Sequence, residues 1–311
     1  MIINSKLPKA PKEFIICING KFFPDSEALI SVMDHGLLYG DGCFEAWSGK
    51  NGFIFELDAH LKRLKESMHA LKILPVESME QIRTDIIETV RRNALTDFYI
   101  KLVVTRGSSP HPVMDPRKCI QPNIIIYVRP TQYEVSDNKK SQGIKLKVLS
   151  KKRVTHECLS PQIKSLNYLN LIMGKYEAWE CGFDEAVMLD QQGYLTESTG
   201  FNICFIKDNV LYTPTHGVLV GITRKSAMDM ARDMGLDVQL GFYTSHDLIV
   251  ADEVFLTNTV SGITSVTNVD GFVVGNGKPG KYTIHFAQTY LDWLTKGIRG
   301  TQCFPEAWVE E

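Results

Sequence analysis

One lysine and one glutamate in this chain have surroundings that suit chemistry at an aldehyde and at a ring nitrogen. Lys164 follows Pro161 and precedes an apolar run at helical spacing that ends at Gly182, which predicts a lysine at the mouth of an amphipathic helix. Partial desolvation leaves some of a lysine as the neutral amine that can condense with an aldehyde. The pattern also fits a solvated surface lysine. The apolar residues of the run are Leu166, Leu169, Ile172, Met173, Tyr176 and Trp179.

The segment that follows predicts a hairpin around Glu197. Residues 185–190 are typical of a short buried strand, 191–193 of a turn, and 194–205 of a return strand. Glu197 could be an exposed edge carboxylate that discourages sheet pairing. It could instead face a ring nitrogen and keep it protonated, so that the ring acts as an electron sink.

Six motifs across the chain occur in an order and spacing that are found together in one family. They are IKSLNYLN at 163–170, DEAVMLD at 184–190, GYLTES at 193–198, LYTP at 211–214, GITRKSAM at 221–228 and ADEVFLTNT at 251–259. From about Ile18 to Thr289 the chain resembles the fold-type IV, or class IV, pyridoxal phosphate enzymes. That family includes branched-chain and D-amino-acid aminotransferases, (R)-selective amine transaminases and aminodeoxychorismate lyases.

The resemblance implies pyridoxal 5′-phosphate as cofactor and transamination as the reaction. Lys164 would hold the cofactor and then move a proton as general acid and base. Glu197 would keep the pyridine nitrogen protonated, Tyr168 would hydrogen-bond the phenolate oxygen, and Leu219 would pack against the ring. A non-enzymatic binding protein fits less well, because the lysine, the glutamate and the phosphate positions are all present.

Four residues from three separate segments are expected to bind the phosphate: Arg63, Ile222, Thr223 and Thr259. The resemblance places Arg63 in an HxxRL pattern at 60–64, and a guanidinium fork suits phosphate, although a solvated helix arginine fits the pattern alone. A glycine before a helix start lets backbone N–H groups approach an anion at 222–223, with a plain N-cap by Thr223 as the alternative. The contact from Thr259 rests on the resemblance.

The substrate pocket is expected to involve a loop with three glycines in seven residues, at 36–42. Glycines at this density suit a backbone that bends tightly near a ligand, or an ordinary turn. The resemblance implies that Tyr39 and Phe44 help to wall the pocket, often from across a dimer interface. The late turn, with Val260, would contribute from another segment.

Three segments depart from the pattern of the branched-chain group, which usually carries FEGIR, YIR and GTA. This chain has FEAWS at 44–48, YIK at 99–101 and NTV at 258–260. Both arginine positions are changed, to Ser48 and Lys101, and lysine matches carboxylate geometry less well than a guanidinium does.

We therefore expect a transaminase that is branched-chain-aminotransferase-like, with atypical carboxylate-binding positions. The alternatives are a D-amino-acid or (R)-selective amine transaminase and, further away, a lyase of the aminodeoxychorismate type. The expected substrate residues are Tyr39, Phe44, Tyr99, Lys101 and Val260.

The expected fold is α/β in two domains, with the cofactor in the cleft between them and a homodimer completing each pocket. Residues 1–128 would form a small α/β domain, 129–142 a linker, and 143–311 a larger domain with a barrel-like sheet. Helices are predicted at 57–71 and from Ser78. Strands are predicted at 98–105, 123–128 and 144–149.

Composition gives no reason to expect nucleic acid or a membrane as a partner, since the net charge is −2 and the pI is near 6.5. The seven cysteines are scattered without metal-ligand spacing, so we expect no metal and reduced thiols in the cytoplasm. Residues 1–14 lack the apolar core of a signal peptide. A literal GxGxxG at 275–280 is interpreted as a surface turn, because too little chain follows for a nucleotide-binding βαβ unit.

Overall fold

The computed structural model describes residues 11–75, 77–132 and 137–304, which form two compact units. The first unit holds the residues up to Gln132, the short segment 163–167 and the residues from Trp293 onward. The second holds the remaining residues up to Asp292. Within the predicted linker, a strand runs to Pro130, a helix begins at Asp137, and 133–136 lie outside the described residues. The three-part domain division stays a prediction.

Helices and strands succeed one another along the described part of the chain. They are β1 (Ile15–Ile18), β2 (Lys21–Pro24), α1 (His35–Tyr39), β3 (Gly42–Lys50), β4 (Phe53–Phe55), α2 (Leu57–Ala70), α3 (Met79–Asn93), β5 (Phe98–Thr105), β6 (Asn123–Pro130), α4 (Asp137–Gln142), β7 (Ile144–Lys152), α5 (Leu169–Glu180), β8 (Glu185–Leu189), β9 (Leu195–Ser198), β10 (Asn202–Lys207), β11 (Val210–Pro214), α6 (Ile222–Asp233), β12 (Asp237–Gly241), α7 (Ser245–Ile249), β13 (Glu253–Asn258), β14 (Gly262–Val269), β15 (Phe272–Val273), α8 (Lys281–Lys296) and β16 (Gly300–Gln302).

The first unit is an antiparallel sheet of seven strands in the order β16-β4-β3-β5-β6-β1-β2. Side chains alternate between its faces: Ile100 and Leu102 of β5 are fully buried in the core, while Tyr99 and Lys101 are half-buried. Helices α2 and α3 cover the core face with leucine and isoleucine side chains. We call the opposite side the far face; it carries Tyr99 and Lys101.

The two predicted helices of this unit are confirmed. Helix α2 runs over Leu57–Ala70 and buries the predicted leucine stripe. Helix α3 begins at Met79, where Ser78 Oγ accepts a hydrogen bond from the N–H of Gln81 at 3.1 Å. The Gln81 side chain donates to Asp85 instead of returning to the cap.

The second unit is built on a mixed sheet of nine strands in the order β12-β11-β10-β13-β14-β7-β8-β9, with β15 paired to β14. The pairs β11–β12, β14–β7 and β7–β8 are parallel, and the others are antiparallel. The sheet curls into a half-barrel, because the N–H of Leu195 in the last strand donates to the carbonyl of Tyr243, just after the first strand, at 2.7 Å. The expected α/β fold with a barrel-like sheet is confirmed.

Three local predictions around Lys164 and Glu197 were wrong. Helix α5 begins at Leu169, five residues after Lys164, so the lysine does not lie at the mouth of the helix. The predicted apolar stripe of that helix is exposed in this chain, and Leu171 and Ala178 are buried in its place. The return strand is broken into β9 and β10, since the chain turns at 199–201 before pairing with other strands.

Candidate functional site

In the first unit, Lys164 lies on an extended segment that pairs with the start of β3. The N–H of Phe44 donates to the Lys164 carbonyl at 2.9 Å, and the N–H of Leu166 donates to the Gly42 carbonyl at 3.0 Å. Residues Cys43 and Ser165 form the bridge between them. Strand pairing therefore fixes the backbone of the lysine.

The amine of Lys164 lies against the ring of Phe44, with Nζ 4.5 Å from the ring centroid. Lys101, on the far face, places its own Nζ 4.5 Å from the same centroid. Burial and the nearby charge of Lys164 lower the pKa of the Lys101 ammonium below its usual range. The amines of Lys101 and Lys164 thus both lie over the ring of Phe44, where an anionic ligand group could bind between basic side chains.

The far face also carries Ser48 and Tyr99, which are cross-strand neighbours in β3 and β5. Ala46 lies opposite Lys101 in the same register, so the predicted substrate residues Phe44, Tyr99 and Lys101 share one sheet face. Tyr39 ends α1 and packs its ring edge-on against His35 at 5.0 Å. His35 is not one of the predicted substrate residues, so this contact does not link Tyr39 to Phe44, Tyr99 or Lys101.

Arg63 lies on the inner side of α2 and is held by a buried carboxylate. Its Nε and Nη2 donate to the two oxygens of Glu45 at 2.6 and 2.8 Å. His60 Nδ1 lies 2.7 Å from Glu45 Oε2. Burial alone would raise the pKa of Glu45, but the charges of Arg63 and His60 bring it down to about 2. Glu45 thus anchors the guanidinium in a fixed orientation.

In the second unit, Glu197 is buried and both its carboxylate oxygens accept hydrogen bonds. Arg153 donates to Oε1 through Nη2 at 3.0 Å and Nε at 3.3 Å. The N–H of Leu219 and the amide of Asn202 donate to Oε2 at 2.9 and 3.2 Å. The interpretation as an exposed edge carboxylate is excluded, because only 6 % of Glu197 is exposed. The guanidinium supplies the counter-charge that a buried carboxylate requires.

The start of α6 lies next to this carboxylate through Asn202, whose amide also donates to the Leu219 carbonyl at 3.0 Å. The N-cap of α6 is Gly221 and makes no side-chain cap, so Thr223 is not the N-cap. A Cβ at Gly221 would lie 1.8 Å from Asn202 Oδ1, so only glycine permits this approach. Ile222 and Thr223 form the first turn, whose N–H groups point along the helix axis towards any anion.

The turn between β13 and β14 contains Thr259 and Val260. The Thr259 carbonyl accepts a hydrogen bond from Tyr290 at 3.2 Å. Among the described residues, the buried hydroxyls of Thr257 and Ser261, on either side of Thr259, have no hydrogen-bond partner. Buried hydroxyls need an acceptor, and a phosphate oxygen is a suitable one. This turn therefore fits the predicted phosphate contact.

Tyr168 is the residue before α5 and packs with Leu149 and Leu171 in a small apolar cluster. Because the unit boundary falls after Asn167, Lys164 belongs to the first unit and Tyr168 to the second. The residues predicted for the ring end in the second unit are Tyr168, Glu197 and Leu219. Of these, the structure joins Glu197 and Leu219 by a hydrogen bond.

Three supporting residues were missed from the sequence: Glu45, Arg153 and Asn202. Glu45 could have been found from β3, because it is the charged residue between Cys43 and Trp47 on the core-facing side of a strand. Arg153 directly follows β7, and nothing near it in sequence points to Glu197. Asn202 had no signal either, since its partners come from separate segments.

The GxGxxG segment joins β15 to α8, and β15 pairs antiparallel with β14, so it does not open a βαβ unit. The carboxylate of Glu253 accepts from the N–H groups of Tyr282 and Thr283, and so occupies the N-terminus of α8. In the described ranges, no set of three or more His, Cys, Asp or Glu side chains is arranged for a metal ion. None of the described helices is long and apolar enough to cross a membrane.

Comparison with known proteins agrees with this geometry. Residues 42–269 match the family model for amino-transferase class IV. A putative branched-chain-amino-acid aminotransferase of Methanocaldococcus jannaschii is 40% identical over 91% of this chain and 98% of its own. A D-alanine aminotransferase of Bacillus licheniformis is 32% identical over 86% and 93%.

Among solved structures, a T.th. branched-chain amino acid aminotransferase complexed with N-(5′-phosphopyridoxyl)-L-glutamate superposes with a TM-score of 0.86 at 31% identity. The match covers 96% of this chain and 98% of that one. Both the family model and the relatives span most of the chain. The chain therefore belongs to the class IV aminotransferases and is branched-chain-aminotransferase-like.

Proposed function

We propose that this aminotransferase uses pyridoxal 5′-phosphate to move an amino group between an amino acid or primary amine and a 2-oxo acid. The observation that carries the proposal is the placement of Lys164, the lysine of the family motif, with its backbone fixed by β3 and its amine against Phe44. A solvated surface lysine would have neither constraint.

The phosphate of the cofactor would be bound by the residues that the resemblance implies, Arg63, Ile222, Thr223 and Thr259. Arg63 is oriented by Glu45, and a fixed guanidinium loses little side-chain entropy when it binds an anion. The first turn of α6 supplies N–H groups and the positive end of the helix dipole. The unpartnered hydroxyls beside Thr259 support this assignment.

At the ring end, Glu197 would accept a hydrogen bond from the protonated pyridine nitrogen, Tyr168 would hydrogen-bond the phenolate oxygen, and Leu219 would pack against the ring. When bound, the protonated cofactor ring supplies an electron sink for the bond that breaks at the substrate carbon. Glu197 can stabilise that positive charge because Arg153, Asn202 and the Leu219 N–H hold its carboxylate in one orientation.

Lys164 would anchor the cofactor covalently and, after the substrate amine has replaced it, carry the proton. Its Nζ would accept a proton from the substrate carbon and then give it up again, as one group acting as base and then acid. The hydrogen-bonded backbone at 163–165 fixes the point from which the Lys164 side chain starts, which supports the defined geometry that proton transfer requires.

The substrate carboxylate would meet Lys101 on the far face, next to Tyr99, Phe44 and Ser48. Arginine in the usual branched-chain pattern would offer two parallel hydrogen bonds, whereas Lys101 offers a point charge. This change, together with the 32% identity to a D-alanine aminotransferase, favours a second candidate: a D-amino-acid or (R)-selective amine transaminase. Val260 stays among the proposed substrate residues.

A homodimer would complete each pocket with Tyr39. Helix α1 leaves Leu37 and Leu38 exposed next to Tyr39. Neighbouring exposed apolar groups are typical of an interface between chains. Light scattering on the purified protein should give a dimer mass, and a stable monomer with full activity would contradict this assignment.

The function is tested with three donors: L-leucine, D-alanine and (R)-1-phenylethylamine. Loss of the visible absorption of the loaded protein under single-turnover conditions reports amino transfer from each donor. Borohydride reduction followed by peptide mapping should place the cofactor on Lys164, and Lys164→Ala should fold without covalent cofactor or transamination. Label on a different lysine would overturn the proposal.

Glu197→Gln provides the second arm, because an amide cannot balance the pyridinium charge. We expect cofactor binding to be largely retained and the half-reaction to slow by orders of magnitude. Near-normal turnover in this variant would remove Glu197 from the site.

Lys101→Met tests the carboxylate partner. We expect amino-acid donors to lose about one to two decades in kcat/KM, which corresponds to the roughly 1.5–3 kcal/mol of a hydrogen bond to a charged group. The amine donor, which has no carboxylate, should be unchanged. Lys50→Met is the matched control, since Lys50 ends β3 of the same sheet and forms an ion pair with Asp97. Equal losses for D-alanine and (R)-1-phenylethylamine would exclude Lys101 as the carboxylate partner.

A further inference from the structure

Helix α2 holds two side chains of interest on one face, one turn apart. Arg63 faces Glu45 of β3, and Ser67, four residues later, is only 2 % exposed and faces the same way. Ser67 Oγ accepts a hydrogen bond from the backbone N–H of Lys164 at 3.2 Å. Helix α2 thus carries the predicted phosphate arginine and also contacts the predicted cofactor lysine.

The two backbone polar groups of Lys164 are bound by different elements. Its carbonyl accepts from the N–H of Phe44 in β3, and its N–H donates to Ser67 in α2. Strand pairing fixes the carbonyl side of the residue, and the N–H of Lys164 takes no part in that pairing. The second bond, to a different element, restrains the N–H side of the residue and so the direction of the Cα–Cβ bond from which the side chain starts.

A buried helical hydroxyl does not need such a partner. Thr89 of α3, equally buried, donates to the Asp85 carbonyl of its own helix at 2.6 Å. Ser67 reaches instead across 97 positions of sequence to Lys164. The contact of Ser67 with Lys164 therefore differs from the bond to its own helix that Thr89 makes.

We propose that Ser67 is a positioning residue that sets the amine of Lys164 in register with the guanidinium of Arg63. The inference rests on the proposed function, in which Arg63 binds the phosphate and Lys164 the aldehyde of one cofactor. The separation of those two groups then depends on α2. Without the Ser67 hydroxyl, Arg63 and Lys164 are both still present, but the distance between their charged groups is less well fixed.

The test compares covalent loading of the cofactor-free protein by pyridoxal 5′-phosphate and by pyridoxal, which lacks the phosphate. In both cases the lysine nitrogen bonds to the aldehyde carbon and one water is released. Only the phosphate compound gains from a lysine held in register with Arg63. The variants are Ser67→Ala, Ser67→Thr and, as the matched control, Thr89→Val, with loading followed by visible absorption.

For Ser67→Ala we expect the loading rate with pyridoxal 5′-phosphate to fall about two- to tenfold, the size of one neutral hydrogen bond. The rate with pyridoxal should be unchanged, and Thr89→Val should alter neither. Ser67→Thr, which keeps the hydroxyl, should restore the difference between the two aldehydes. A fall of the same factor with both aldehydes, or no fall, overturns the inference.

Failure of the proposed function gives a different result. If borohydride trapping in the unchanged protein labels another lysine, the proposed function fails whatever Ser67 does. If the label is on Lys164 and Ser67→Ala loads like the unchanged protein, only the positioning role fails.

Discussion

The ion pair between Arg153 and Glu197 offers a test that needs no cofactor. Arg153→Met keeps most of the side-chain volume and removes the charge, which leaves Glu197 buried without its guanidinium. Breaking a fully buried pair costs about 3–5 kcal/mol. Here 12% of the Arg153 side chain and 8% of the Glu197 side chain are exposed. Glu197 also keeps the hydrogen bonds from Leu219 and Asn202.

We therefore expect a loss of about 2–3 kcal/mol, near the value of a hydrogen bond to a charged group. The measurement is the free energy of unfolding of the cofactor-free protein in urea at pH 7, in a double-mutant cycle with Glu197→Gln. Once Glu197 carries no charge, Arg153→Met should cost much less, because no buried charge is left unpaired. A coupling free energy below about 0.5 kcal/mol, the size of an exposed pair, would refute this reasoning.

Two further predictions each concern one residue, Glu77 in the first unit and Gly221 in the second. Burial and the charge of Asp85 raise the pKa of Glu77 above 4.5, so folding favours the protonated carboxyl. The contribution of Glu77 to stability is therefore lost as pH rises through the raised pKa. The thermal midpoint of Glu77→Gln should fall less between pH 4.5 and 8 than that of the unchanged protein, and an equal fall in both would contradict this. Gly221→Ala should destabilise the protein by about 1–3 kcal/mol by overpacking against Asn202. Its control is Gly200→Ala, where a Cβ meets nothing within 4 Å; equal urea midpoints for the two variants would count against the clash.

The sequence predicted those elements whose pattern is local. Helix α2 has five leucine or methionine positions at steps of three and four residues, and β5 alternates over eight residues, so both were located to within one residue. The family motifs likewise identified the chain as an aminotransferase. In each case the signal lies within a short stretch and does not depend on which distant segment packs against it.

The environment of Lys164 could not be predicted in this way. The apolar spacing after it is helical, and the helix exists, but it begins only at Leu169 because Lys164 is extended against β3. Pairing with Phe44 is a contact between distant parts of the chain and leaves no periodic trace near the lysine. The burial of the apolar stripe on α5 was predicted wrongly for a related reason. Hydrophobic spacing indicates that a helix face can be buried, but it does not indicate which residues bury it.

The segments that form the first unit lie far apart in sequence, which constrains the order in which the chain can fold. Its sheet needs β16, since Gly300 pairs with Phe55, and its lysine segment needs the start of β3, since Lys164 pairs with Phe44. Closing such long loops is slow compared with forming local hairpins and helices. During synthesis, the second unit has all its strands before β16 leaves the ribosome. The edge of β4 therefore stays open until β16 has been made, and the nascent chain is most vulnerable to wrong pairing at that edge.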